Sequence, residues 1–182
     1  QDFLKAGLLD RAEELFLKLQ GTIYDQQAAT FLLEIYEQEK DWTKAIRVAR
    51  SMDSASEHSK SREIAHFYCE MAQAEMTQGR GESVAGLLQE ALAVNRKCVR
   101  ANLLAGDLAL SEGRVDEAIE AWKRIEQQNP AYLALAADRL MGAYKRIDRF
   151  DEGIALMRGY LASHPSLDLL NATFQALFER QG

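Results

Sequence analysis

The sequence has few of the residues that break or cross-link a chain. Its 182 residues include two prolines and two cysteines, so few helix breaks are expected and no disulfide framework is available. Two cysteines are also too few to form a zinc site on their own, and their scarcity is typical of a reducing compartment. No apolar run reaches the roughly 18 residues that indicate a transmembrane helix, so no membrane-spanning segment is predicted.

The sequence also has no excess of basic over acidic residues. Twenty-eight acidic side chains oppose 22 basic ones, which gives a net charge of -6 and an isoelectric point near 5.2. A phosphate backbone would have to bind against this overall field. Nucleic acid is therefore excluded as an expected partner.

The composition favours helices. The sequence has 27 Ala and 24 Leu, against 18 Val, Ile and Thr together. Alanine and leucine are strong helix formers, whereas β-branched side chains lose rotamer freedom in a helix and pack best on sheets. The sequence predicts an all-α protein.

A small residue, replaced once by Val84, is followed by a large one at i+4 and an apolar one at i+7 in five series. The five series begin at Ala12, Ala45, Val84, Ala118 and Gly153, at steps of 33 to 39 residues. Residues at these spacings share one helix face, with the small residue where two helices cross closely. Such a period predicts a stack of helical hairpins, each series marking a second helix.

Turn residues fall at a fixed place before each series. Gly7, Gly79 and Gly113 lie five residues before the small position, and Asp148 takes that place in the last series. Glycine there adopts the left-handed conformation that ends a first helix. Lys40 occupies the equivalent position and is the exception to the pattern.

These spacings resemble the tetratricopeptide repeat (TPR). Unit 99–132 matches best, with Gly106 in the first helix, Trp122 in the second and Pro130, like Pro165 one unit later, at the end. The resemblance implies a right-handed superhelix of antiparallel helical hairpins. The predicted single array comprises half unit 1–21, units 26–59, 65–98, 99–132 and 134–167, and terminal half unit 166–182. Residues 51–61 are predicted to form an enlarged polar loop.

In a TPR register the first helix of each hairpin lines the concave side, which repeat proteins use for binding. The predicted lining mixes acidic, basic and apolar groups, which suits an extended peptide or a partner helix. The candidate protein-binding residues are Gln27, Glu34, His66, Cys69, Gln73, Arg100, Leu103, Asp107, Asp138 and Lys145.

Motifs of catalysis are missing from the sequence. It has no phosphate-binding glycine loop, nucleophile elbow or HExxH, so no catalytic, cofactor-binding or metal-ligating residue is predicted. His66, Cys69 and Glu70 share a helix, and a reactive pair or a metal site is the alternative interpretation to a structural role. Trp42 and Trp122 are predicted to be packing residues.

Three segments carry a closer resemblance. They are AGLLDRAEELF at 6–16, LLEIYEQEKDWTKAIRVA at 32–49 and REIAHFYCEMA at 62–72, the last with a run that no TPR consensus requires. Together they resemble the bacterial lipopolysaccharide assembly protein B family. The resemblance implies an N-terminal membrane anchor before a cytoplasmic TPR array, and a C-terminal rubredoxin-like module whose paired CxxC motifs bind a metal. Cys69 and Cys98 are not those ligands, and we expect the 182 residues to be part of a longer chain.

The family resemblance also implies a function. Members are non-catalytic adaptors on the cytoplasmic side of the Gram-negative inner membrane. They promote degradation, by the membrane protease FtsH, of the deacetylase that commits precursor to lipid A. The expected partners of this chain are therefore those two proteins, without direct membrane contact through residues 1–182, and the oligomeric state is open.

Two alternatives share the same periodicity. A generic peptide-binding TPR co-factor would require a partner tail complementary to the groove. A TPR array can also precede the catalytic domain of a protein glycosyltransferase. In that case activity would lie outside residues 1–182, and these residues alone would not turn over nucleotide-sugars.

Overall fold

The computed structural model describes residues 2–55 and 59–178, with the side chains of 2–6, 54 and 55 excepted. Within these ranges the regular structure is helical and contains no strand, which confirms the predicted all-α class. The helices are α1 (Asp2–Lys18), α2 (Asp25–Glu39), α3 (Trp42–Ala55), α4 (Ser61–Thr77), α5 (Gly81–Val94), α6 (Val99–Ser111), α7 (Val115–Lys123), α8 (Ile125–Gln128), α9 (Leu133–Arg146), α10 (Phe150–Ser163) and α11 (Leu167–Phe178). None of them is both long and apolar enough to cross a bilayer.

The helices pair as consecutive hairpins. Helices α2 and α3, α4 and α5, α6 and α7, and α9 and α10 pack as pairs, and each pair packs on the next along the chain. The short α8 extends the second helix of the third hairpin beyond a break at Arg124. Helix α1 packs on α2, and α11 packs on α9, so both ends of the stack carry one further helix.

All four hairpin turns use the same backbone conformation. Gly79, Gly113, Asp148 and Lys40 have φ between 56° and 77°. In each turn the next amide donates to the carbonyl five residues back, as Asp41 N does to Tyr36 O at 2.9 Å. This is the bonding of a helix that ends on a left-handed residue. Asp148 behaves as predicted, and Lys40, the exception in residue type, takes the same conformation.

The repeated series forms the buried stripe of the stack. Ala45, Val84 and Ala118 are fully buried, and Gly153 is buried where an added Cβ would lie 3.0 Å from Met141 Sδ. The first position of these four series is therefore buried, and at Gly153 the neighbouring helix approaches closely, as the spacing predicts. Three clusters of buried side chains follow one another along the chain, the first in α2–α4, the second in α4–α6 and the third in α6–α11.

The two tryptophans are packing residues, as predicted. Trp122 is fully buried, and its Nε1 donates to the carbonyl of Leu103 at 3.2 Å. Trp42 begins α3 and stacks on Phe67 with ring centroids 5.7 Å apart.

Two local expectations differ from the structure. Helix α1 runs without interruption through Gly7, which was predicted to end a helix. No turn forms there because apolar and helix-favouring residues continue on both sides of the glycine. Helix α3 extends to Ala55, so the first half of the predicted loop 51–61 is helical, and α4 begins at Ser61. Residues 56–58 of that loop lie outside the described residues.

A candidate protein-binding face on the first helices

The predicted binding residues lie on α2, α4, α6 and α9, the first helices of the four hairpins. We call the surface that these helices share the first-helix face. Six of them are exposed, three are half-buried and one is buried. The exposed residues are Gln27, Glu34, His66, Gln73, Asp138 and Lys145; the half-buried ones are Arg100, Leu103 and Asp107. The buried one is Cys69, whose side chain has no exposed surface to offer a partner.

Arg100 is the centre of a polar cluster that joins α6 to α4. Its Nη1 donates to Glu70 Oε1 at 2.6 Å and lies 3.2 Å from His66 Nδ1, while its Nη2 donates to the amide oxygen of Gln73. The guanidinium is planar and offers several fixed donors, so three acceptors on one neighbouring helix hold it in a single orientation. The structure thus brings three of the predicted residues, His66, Gln73 and Arg100, into direct contact.

A second ion pair joins α6 to α9. Arg139 Nε and Nη2 donate to the two carboxylate oxygens of Asp107 at 2.8 and 3.2 Å. Both side chains are about one third exposed, so the pair lies at the surface of the face rather than in the core. A bidentate arginine–carboxylate pair fixes orientation as well as distance. Asp107 is therefore held in place by the following repeat, as Arg100 is by the preceding one.

The last part of the face borders a cavity. Asp138, Gly142 and Lys145 of α9 line a cavity of about 240 Å³ together with Gln175 and Ala176 of α11. Helix α11 therefore forms one wall of the face at this end. The cavity brings together two more predicted residues, Asp138 and Lys145, one acidic and one basic.

A metal site does not form around His66 and Cys69. His66 points outward with about half its side chain exposed, whereas Cys69 is fully buried. Among residues 2–55 and 59–178, no three His, Cys, Asp or Glu side chains are grouped as metal ligands. The described residues thus give no ligand set for the metal that the resemblance assigns to a C-terminal module.

Sequence reasoning missed Arg139 as a member of this face. Its signal was present in the sequence, because Arg139 lies 32 residues after Asp107, close to one repeat, and carries the opposite charge. Glu70 and Arg100 show the same relation at a spacing of 30. In both cases the ion pair that crosses between hairpins joins opposite charges about one repeat apart on first helices.

Comparison with known proteins agrees with this architecture. Residues 69–132 match the family model described as tetratricopeptide repeat. Over 172 residues the chain is 30% identical to lipopolysaccharide assembly protein B of Haemophilus influenzae, which covers 93% of this chain. The protein of the same name from Escherichia coli is 29% identical over 153 residues, or 84% of the chain. The chain is a homologue of lipopolysaccharide assembly protein B.

This homology confirms the resemblance predicted from the sequence. The chain spans 43% of the length of the Haemophilus influenzae relative and 39% of the Escherichia coli one. The shared part is the hairpin stack described above.

Solved structures share the fold at lower sequence identity. The MamA protein superposes with a TM-score of 0.52 at 20% identity, covering 89% of each chain. YrrB, a TPR protein with an unusual peptide-binding site, also gives a TM-score of 0.52, at 16% identity over 98% of this chain and 86% of its own. These likenesses establish the TPR fold and nothing further.

Proposed function

We propose that this chain is the protein-binding TPR array of a non-catalytic adaptor that acts in lipopolysaccharide assembly. The observation that carries the proposal is the homology to lipopolysaccharide assembly protein B over 93% of the chain. The adaptor brings the lipid A pathway deacetylase to the protease FtsH at the cytoplasmic side of the inner membrane. Both partners, and that location, come from the family resemblance.

The first-helix face has the chemistry that such an adaptor needs. Arg100 and Asp107 stand on α6 with their orientation fixed by α4 and α9. Groups fixed before binding lose little conformational freedom on binding, so more of the interaction energy appears as affinity. Leu103, half-buried between them, and Leu135, about half exposed on α9, add apolar surface beside the charges. Mixed charged and apolar surface of this kind suits a protein segment.

The mechanism we propose is proximity. If one surface holds the deacetylase and another part of the longer protein holds the protease, the second encounter becomes intramolecular. Effective concentrations in tethered systems reach the millimolar range, which raises the rate of degradation without any chemistry by the adaptor.

Calorimetric titration of the chain with the purified deacetylase, in moderate salt, tests this function. We expect a dissociation constant in the micromolar range or tighter for the unmodified chain. The double variant Arg100→Ala and Asp107→Ala should bind at least about tenfold more weakly, a loss of about 1.4 kcal/mol. No binding by the unmodified chain would contradict recruitment of the deacetylase by this array.

Two controls separate direct contact from altered packing. The double variant Glu120→Ala and Lys123→Ala removes an ion pair with a 3.4 Å contact on α7, away from the first-helix face, and should keep full affinity. The exchange Asp107→Arg with Arg139→Asp retains opposite charges but reverses their positions. Lost affinity with unchanged helicity in the exchanged variant supports direct contact. Unchanged affinity in both Arg100/Asp107 and exchanged variants would place the contact elsewhere.

A further inference from the structure

The two cysteines of the chain lie side by side, although 29 residues separate them in the sequence. Cys69 Sγ and Cys98 Sγ are 3.8 Å apart, within hydrogen-bonding distance for sulfur, and both thiols are free. Cys69 is fully buried on α4, and Cys98 occupies the N-cap position of α6 with part of its side chain exposed. The pair therefore joins two successive first helices and has one open side.

The surroundings of the two sulfurs make them chemically different. The hydrogen bond with Cys69 and the backbone amides of Ala101 and Arg100 at the start of α6 favour the anionic form of Cys98, so its pKa is lowered from the ordinary cysteine value. The same hydrogen bond, together with burial, raises the pKa of Cys69. The thiolate is the nucleophilic form of cysteine. Cys98 is thus the nucleophilic thiol, and the buried Cys69 is close enough to react with it in a second step.

Charged groups around the pair come from both helices. Arg100 of α6 favours the Cys98 thiolate, and Glu70 of α4, paired with that arginine, stands next to Cys69. Gln128 of α8 donates to the Cys98 carbonyl at 3.2 Å and fixes the backbone there without adding charge. Two cationic residues therefore flank Cys98 in the sequence, Lys97 directly before it and Arg100 two residues after it.

We propose that Cys69 and Cys98 form a peroxide-reactive dithiol that closes reversibly to an intramolecular disulfide linking α4 to the start of α6. The Cys98 thiolate attacks one oxygen of hydrogen peroxide, which breaks the O–O bond, gives a sulfenic acid and releases hydroxide. The Cys69 sulfur then attacks the sulfenic sulfur, and its proton leaves with the displaced hydroxyl group as water. The two sulfurs together supply the two electrons that reduce the peroxide. A dithiol reductant reverses the link by thiol–disulfide exchange.

The geometry makes closure a local movement. A disulfide brings two sulfurs to about 2.05 Å, so the sulfurs must approach by a little under 2 Å, which side-chain rotation and a small helix shift can supply. Closure would tie α4 to α6 beside the Arg100 cluster of the first-helix face.

Peroxide treatment of the whole 182-residue chain, followed by non-reducing peptide mapping, tests the proposal. We expect a Cys69–Cys98 cross-linked peptide that is lighter by two hydrogen atoms than the two free peptides and disappears on reduction. In Cys98→Ser, which places a preferred helix-capping residue at that position, Cys69 should resist oxidation because it is buried. In Cys69→Ala, a sulfenic-acid trap should label Cys98, because no second thiol is left to displace the hydroxyl group. A chain that forms only intermolecular disulfides, or oxidises Cys98 to the sulfinic acid with Cys69 still free, would overturn the proposal.

Alkylation kinetics provide a second readout that does not depend on disulfide formation. The alkylation rate of Cys98 by iodoacetamide should rise with pH with a midpoint below that of an ordinary cysteine in the unmodified chain. In Cys69→Ala the midpoint should move upward, because the hydrogen bond that most stabilises the thiolate is gone. An unchanged midpoint in the folded variant would show that the two thiols do not interact and would refute the pairing.

Discussion

Gly106 leaves the space that Trp122 fills. A Cβ added at Gly106 would lie 2.1 Å from Trp122 Nε1 and 2.4 Å from its Cε2, both in a fully buried ring. Gly106→Ala should therefore destabilise the protein by about 1–3 kcal/mol, the usual loss on overpacking a core. Chemical denaturation followed by circular dichroism measures this change.

Gly142 provides the matched control for Gly106. It also lies within a first helix, but an added Cβ there would meet no atom within 4 Å. Gly142→Ala should stabilise the protein by about 0.5–1 kcal/mol, because alanine loses less backbone entropy in a helix. Equal effects of the two substitutions would mean that the Trp122 contact is not specific.

The ion pair with Arg80 is the main cause of the low pKa of the Glu75 carboxyl. Arg80 donates to both carboxylate oxygens, at 2.5 and 2.6 Å, and Ser83 adds a third hydrogen bond. These bonds favour the charged form and lower the pKa of Glu75 to about 2. Because the folded-state pKa is below the ordinary value, the stabilising contribution is present above that value and is lost as pH falls toward 2.

Arg80→Gln should raise the pKa of Glu75 back toward its ordinary range. A pH titration of the Glu75 side-chain carboxyl by NMR would detect this shift. Arg62→Gln, at the opposite end of α4, is the control and should leave the Glu75 titration as it was. The ion pair is solvent-exposed, so added salt should diminish the effect. A Glu75 midpoint that does not change when Arg80 is replaced would contradict the assignment.

At the scale of the helix, Lys40 ends α2 in a left-handed backbone conformation that residues other than glycine disfavour. Its φ of 58° lies in the left-handed region, which costs a non-glycine residue about 1–2 kcal/mol. Lys40→Gly removes that strain but adds freedom to the unfolded chain, so the net expected gain is about 0.5–1 kcal/mol. The thermal unfolding midpoint should rise accordingly.

Lys123→Gly is the control for Lys40→Gly. Lys123 lies at the end of α7 in helical backbone, so glycine there should lower stability by up to about 1 kcal/mol. Opposite signs for the same substitution at two lysines would isolate the effect of backbone conformation. Destabilisation at both positions would argue that the Lys40 turn gains nothing from glycine.

The turns and second helices were predictable from the sequence because their signals are local and repeated. Trp122, Ala118 and Pro130 fall where their spacing places them, and Asp148 takes the glycine position as predicted. The prediction of a turn at Gly7 was wrong because it relied on the glycine alone, whereas the helix-favouring residues on both sides continue the helix. In the same way, the polar residues that suggested a loop at 51–61 are compatible with the last turns of α3.

The face was predictable in part. The TPR register placed Arg100 and Asp107 at the surface, where the structure also has them, but it placed Cys69 there too, and the structure buries that side chain. A rotation of one helix by a fraction of a turn moves a side chain from the groove into the core, and no sequence spacing fixes that angle. Contacts between hairpins, such as that of Arg139, depend on the stagger of neighbouring units, which the period alone does not define.

At the scale of the whole molecule, the core is divided along the chain. The first cluster of buried side chains, which contains Leu32, lies in α2–α4, whereas the third cluster, which contains Leu140, lies in α6–α11. Among the described residues, the main contacts between helices of different hairpins join neighbours along the chain. Stability in such a stack is approximately a sum of unit and neighbour terms, so local unfolding can be confined to one end.

Leu140→Ala and Leu32→Ala test this division. Both leucines are almost fully buried, and each substitution should cost about 2–5 kcal/mol locally. Amide hydrogen exchange should accelerate in α9–α11 for Leu140→Ala and in α2–α3 for Leu32→Ala, with the opposite end of the stack little changed. Equal acceleration at both ends in either variant would mean that the array unfolds as one cooperative unit. Acceleration confined to the substituted end would mean that the two ends of the array unfold independently. A partner bound to only two hairpins could then stabilise one end without stabilising the other.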